Sequence, residues 1–204
     1  MPRVGTASVR RAQMTAAVRR VVAEVGMEGA TVKRIADKAR VSPGLVNHYF
    51  GSKEEALTAA LTELARDFDR QMRKISRSKS DPLEKLLGLV DISVPDNPEK
   101  LEMWTVWLEF WSQAMRKPVL RQLHRDIYDI YRQSVASVIR QGIESGVFRP
   151  ADPQEAAATL IAITDGSAID CILSDAEDAP EIMRRRAIAY LETSLGLNSR
   201  EVRG

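Results

Sequence analysis

The chain has 204 residues, 44% hydrophobic and 28% charged, enough for a core of one large helical domain or a small domain joined to a larger one. One cysteine, Cys171, excludes an intramolecular disulfide and fits a reducing cytoplasm. No apolar run is read as reaching the ~18–20 residues that span a bilayer, and no apolar signal core follows the first arginines, so a cytoplasmic protein without a membrane partner is expected. The net charge of +2 hides an asymmetry: residues 1–53 hold ten Lys or Arg against three acids, which leaves residues 54–204 with five net negative charges. A basic first quarter on an acidic remainder suggests a nucleic-acid module attached to a body with another task.

The elements read in chain order are all helical. A first helix is predicted from about Ser8 to Val25, with Gly26 just past its end. Thr31 can cap a second, whose Val32, Ile35, Ala36 and Ala39 recur at helical spacing. Arg40-Val41 breaks that pattern. Ser42-Pro43 then starts a short helix to about Tyr49, a hydroxyl cap followed by proline at the first position. Two short helices around a tight turn are either an ordinary helical hairpin in a bundle or a helix–turn–helix, whose second helix would lie in the DNA major groove, and the basic charge of this quarter favours the latter. Ser52-Lys53-Glu54-Glu55 is a capping box opening a long helix with Ala56, Leu57, Leu61, Leu64 and Phe68 inward. Further starts follow at Asp81-Pro82, at Asn97-Pro98, after Pro118, at Asp152-Pro153 and at Asp178-Ala179-Pro180. No alternating run long enough for a strand is found. The fold class is therefore all-α, about nine helices, with no sheet.

The stretch GMEGATVKRIADKARVSPGLVNHYFGSKEEAL, Gly26 to Leu57, resembles the TetR family of transcriptional repressors. The opening MPRVGTASVRRAQM and the segment WLEFWSQAMRKP, Trp107 to Pro118, are similar to its BetI-type subgroup. The resemblance implies a DNA-binding domain over residues 1–52 and a helical ligand-binding and dimerisation domain over 53–204. It also implies a homodimer through the last two helices, and release from DNA by an effector. His48 and Tyr49 look like the family's phosphate-contacting pair.

Side-chain chemistry assigns the remaining DNA contacts. Pro43 and Gly44 let the start of the short helix approach base edges, with Ser42 as its cap. Val46 or Pro43 can touch a thymine methyl, and Asn47 can bond a base or a phosphate. Lys53 sits at a helix N-terminus that already favours phosphate, and Thr31 and Lys33 can hold the opposite backbone in the same way. Arg3, Arg10 and Arg11 form either a groove-crossing arm or a basic tail. Two modules on a twofold axis would read a near-palindromic operator, with recognition helices roughly 34 Å apart.

All three tryptophans, Trp104, Trp107 and Trp111, fall within eight residues, beside Met103 and Phe110. They share a broad helix face, which is either core or the aromatic wall of a pocket for an organic cation. Tyr128 and Tyr131 can add to such a wall, and Glu109 and Asp165 offer counter-charge. Asp165, and Asp170 beside it, lie in the apolar stretch LIAITDGSAIDCIL, where an unpaired carboxylate would be costly to bury. The subgroup resemblance points to quaternary ammonium effectors of the choline type, with bulkier cations or polyamines as alternatives. The helix from Ser52 joins both domains and is the expected lever between effector and DNA. The competing reading is a helical protein that captures hydrophobic cations without DNA. No phosphate loop, metal-ligand spacing or nucleophile–base pair is found, so neither an enzyme, a metal site nor a cofactor is expected.

Overall fold

The computed structural model describes residues 4–174 and 176–197, with side chains from Ser8 onward. The regular structure among them is helical: α1 (Val4–Gly29), α2 (Val32–Ala39), α3 (Pro43–Phe50), α4 (Lys53–Ser76), α5 (Pro82–Asp91), α6 (Pro98–Ala114), α7 (Pro118–Glu144), α8 (Pro153–Leu173) and α9 (Ala179–Leu195). No strand occurs among the described residues. The chain divides into two compact units, residues 1–67 with 102–124, and residues 68–101 with 125–204.

In the first unit α1 begins at Val4 rather than Ser8, since nothing before Ser8 terminates a helix and serine inside one is nearly neutral. It breaks where the sequence says, at Gly26, whose φ of 70° is free only to glycine. One further turn follows, with the Ala30 N–H on the Gly26 carbonyl at 3.1 Å. Met14, Val18, Val21 and Val22 of α1 are buried with Ile35, Ala36, Val46 and Phe50, and with Leu57, Leu61 and Leu64 of α4. Polar ties accompany that packing. Thr15 donates to Glu63, and Arg19 pairs with Asp67 at 3.1 Å.

In the second unit the helices start on their expected caps. Asp81 accepts the Glu84 N–H at 2.9 Å, and Asp152 accepts those of Gln154 and Glu155 at 2.8 and 3.3 Å. Asp178 differs: it precedes α9, but its side chain makes no cap bond. At the other end of α9, Gly196 turns left-handed, and Arg149 closes the helix by donating to the Thr193 and Ser194 carbonyls. Tyr190 ties α9 to α8 through the Ala156 carbonyl at 3.3 Å.

The apolar content of α8 exceeds the reading above: an 18-residue window within it has mean hydropathy 1.5, enough by length and composition to cross a membrane. Seven of its residues, Ala156 to Ala168, are buried inside the unit, so part of this surplus is spent as core.

Gly142 is the most closely packed of the glycines in this unit. A Cβ built there overlaps the ring of Phe148, which is buried and has no room to swing away. Gly142→Ala should therefore destabilise the protein by about 1–3 kcal/mol despite alanine's better helix propensity, read as a lower denaturant midpoint at unchanged m-value.

Candidate DNA-binding face and effector residues

The helix–turn–helix is built from caps. Thr31 Oγ1 accepts the Arg34 N–H at 3.2 Å to start α2, and Ser42 Oγ accepts the Leu45 N–H at 3.3 Å to start α3, with Pro43 next. Arg40 ends α2 in the left-handed region, and Gly51 ends α3 at φ 75°. Ser52 Oγ then accepts the Glu55 N–H at 3.1 Å and starts α4.

Thr31, Lys33, Ser42, Pro43, Gly44, Asn47 and His48 are exposed, and open space surrounds the Gly44 backbone. Tyr49 is half-buried and meets His48 edge-on at 5.6 Å. Val46 corrects the expectation. It is 1% exposed, because it lies one turn before buried Phe50 and shares that residue's inward face. Of the two residues considered for a thymine methyl, Pro43 is the exposed one. Lys53 is half-buried and donates to the Glu28 carbonyl at 3.0 Å, which fixes its ammonium beside the end of α1.

Arg11 is neither arm nor tail. It lies within α1, donates to the Tyr49 carbonyl at 3.1 Å and stacks over the Phe50 ring at 5.1 Å, so it seats the C-terminal end of α3. Arg10 is exposed on α1, and Arg3 lies outside the described residues.

The aromatic set of α6 belongs to the first unit. Trp104 meets Trp111 edge-on at 5.9 Å, and Trp107 meets Phe110 at 5.6 Å. Phe110 is completely buried and stands 6.4 Å from the His124 ring, so for this residue core is the reading that holds. Trp104 and Trp107 are also buried, whereas Met103 and Trp111 keep partial exposure. Burial holds the pKa of His124 below its usual value, which favours the neutral ring at pH 7. Glu109 is not a spare counter-charge: its carboxylate accepts the Met27 N–H at 2.8 Å, against Gly26.

The second unit holds the remaining candidates. Tyr128 donates to Asp165 Oδ2 at 2.6 Å, and its ring meets that of Tyr131 at 6.4 Å. Tyr131 is buried, shares a hydrogen bond with Ser93 at 3.2 Å and packs on Phe68 at 5.1 Å. Burial pushes the Asp165 carboxyl up to about 6, and the Tyr128 hydroxyl bond only partly offsets this. Asp170 differs from its neighbour: it is exposed and paired with Arg186 at 2.7 Å. Arg184 bridges Asp91 and Asp96, so the arginine run of α9 is largely engaged in ion pairs.

Two grooves are described, one of about 550 Å³ lined by Lys53, Leu57, Arg116 and Leu120 in the first unit, the other of about 440 Å³ by Ile75, Gly88 and Ile92 in the second. Apart from Lys53, none of the sequence-predicted site residues lines either one. No group of three metal-ligating side chains is found among the described residues.

Comparison with known proteins decides what such a face is for. The model of bacterial regulatory proteins of the tetR family matches residues 15–61, and that of the C-terminal domain of BetI-type transcriptional repressors matches residues 82–196. The chain belongs to the TetR family. Curated TetR-family relatives include the HTH-type transcriptional regulator BetI of Burkholderia thailandensis, 33% identical over 168 residues, 81% of this chain and 83% of that protein. The fold is also similar to a transcriptional regulator of Saccharomonospora viridis solved in complex with choline. Its TM-score is 0.84 at 29% identity, over 92% of this chain and 98% of that one. A TetR regulator of Haloarcula marismortui gives 0.83 at 27% identity, over 92% and 99%. This TetR-family member is a DNA-binding transcriptional regulator with a BetI-type C-terminal domain.

Burial divides the two faces of α3 in a way that substitution can read. Val46→Ala should lower stability by about 1–3 kcal/mol, since it empties a closed site. Asn47→Ala should leave thermal stability within about 0.5 kcal/mol and weaken duplex binding in a gel-shift titration.

Proposed function

We propose that the protein is a homodimeric, cytoplasmic repressor, without enzymatic activity, that leaves a near-palindromic operator when an organic cation of the choline type binds it. The observation that carries the effector class is the Tyr128–Asp165 pair: a half-buried carboxylate bonded to one tyrosine beside a second. Carboxylate and aromatic faces together suit a quaternary ammonium, which has charge but no N–H to donate. The choline found in the Saccharomonospora viridis regulator supports the same class. The aromatic face of α6, with Met103, Trp104, Trp107 and Trp111, suits such a cation as well.

Dimerisation is supported by apolar surface that α8 and α9 leave open. Leu160, Ile161, Leu191 and Leu195 are buried, but Ile169, Ile172, Ile182 and Ile188 are only half-covered, and Leu173 is 78% exposed. A second copy can close these faces as a four-helix bundle. On DNA, α3 would enter the major groove of each half-site, with Thr31, Lys33, His48, Tyr49 and Lys53 on phosphates and Pro43, Gly44 and Asn47 near the bases.

Release follows from linkage: a cation that prefers a spacing of the two α3 helices other than the bound one weakens operator affinity by its differential affinity. The unbroken helix α4, residues 53–76, contributes to both units and is the proposed lever. Selection of bound sequences from random duplexes should return a near-palindrome with half-sites about 34 Å apart; no enrichment would overturn the regulator reading.

Charge recognition by Asp165 sets a pH dependence. Its folded pKa of about 6 lies above the ordinary aspartate value of 3.8, so its proton-linked stabilisation is full below 3.8 and lost as pH rises through 6. A cation requires the deprotonated form. Choline affinity, followed by tryptophan fluorescence, should level off above pH 6 and fall toward tenfold per pH unit well below it. Asp165→Asn should weaken binding and flatten the profile, whereas a profile unchanged by that substitution would remove Asp165 from the site.

A further inference from the structure

Arg40 is the one non-glycine residue with a positive φ among the described residues, at φ 56° and ψ 46°. The conformation is imposed by the end of α2. The Arg40 N–H bonds the Asp37 carbonyl at 3.2 Å, and the Val41 N–H bonds that of Ala36 at 3.0 Å, the paired bonds of a Schellman end. Glycine takes this place freely, and a residue with a Cβ is strained there. Glycine fills all four other described positions of positive φ.

The arginine gives nothing back to the fold. It is exposed, and no hydrogen bond, ion pair or ring contact engages its side chain among the described residues. Neighbouring cations differ: Arg34 donates to the Gly29 carbonyl, Lys38 pairs with Glu24, and Lys53 holds the Glu28 carbonyl. Lys33 alone shares the uncommitted state of Arg40 within α2 and its turn.

These two residues stand seven positions apart, at opposite ends of α2. Seven residues rise about 10 Å along a helix, close to the roughly 12 Å width of a major groove. In a docked helix–turn–helix the first helix crosses the backbone while the second enters the groove. We infer that Arg40 is a phosphate clamp. It engages the strand across the groove from the one reached by Thr31 and Lys33, and fixes how α3 is inserted. This rests on the DNA-binding reading and adds a contact to it.

The test uses the full chain and the duplex recovered by random selection, with affinity measured against salt concentration. Arg40→Gly should raise the thermal midpoint by about 2–4 °C through relief of strain, yet weaken binding about tenfold per protomer at 0.1 M salt. The slope of log affinity on log salt should become shallower by about 0.9 per protomer. Arg40→Gln, which keeps the Cβ and loses the charge, should weaken binding equally without the gain in stability. Arg40→Lys should restore the slope. Wild-type affinity and slope in both Arg40→Gly and Arg40→Gln, on a duplex that the parent binds, would overturn the clamp and leave the regulator intact. A parent that binds no duplex would overturn both readings.

Discussion

Eight residues are too few for a helix to hold itself together in water, and this constrains everything at the DNA-binding end. Both α2 and α3 have that length, so each depends on its ends and on one buried face. Hydroxyl caps at Thr31 and Ser42 and left-handed or glycine stops at Arg40 and Gly51 fix where each begins and ends. Ile35, Ala36, Val46 and Phe50 supply the buried face, and Arg11 clamps the last turn of α3 from α1. The residues left outward are therefore a remainder: those not needed to make the helices exist. Lys33, Gly44, Asn47 and His48 are that remainder, and the capping residues Thr31 and Ser42 and the first-turn Pro43 are exposed as well.

The C-terminal half meets the opposite problem, an excess of apolar surface. Part of α8 is core, part stays open beside α9, and Asp165 stands in the same helix. A carboxylate there resists ionisation because water is scarce, and the one hydroxyl bond from Tyr128 does not replace full hydration. Under the proposed function, that same burial is what would make the ionisation of Asp165 respond to a bound cation.

Much of the fold was legible because its signals are local. Caps at Thr31, Ser42, Ser52, Asp81 and Asp152 act over two or three residues, and each bond is present. The inward face of Val46 is hard to read because a two-turn helix gives little phase information, although its spacing of four from buried Phe50 marks that face. Asp170 shares its apolar neighbours with Asp165, yet five residues of helix turn it toward solvent and Arg186. Those two acids interrupt the apolar run of α8 in the sequence, although its mean hydropathy over 18 residues stays at 1.5. Contacts over long separations left no pattern at all: Arg11 to Tyr49 spans 38 residues and Glu109 to Met27 spans 82.

That last contact has a consequence for how the chain is made. The break in α1 at Gly26 leaves the Met27 amide short of a helical partner, and the acceptor arrives 82 residues later in synthesis, on α6. The DNA-binding segment therefore leaves the ribosome well before the carboxylate that completes it. Until α6 emerges, the nascent helix–turn–helix lacks one of its supports, and premature termination before residue 109 would strand it in that state.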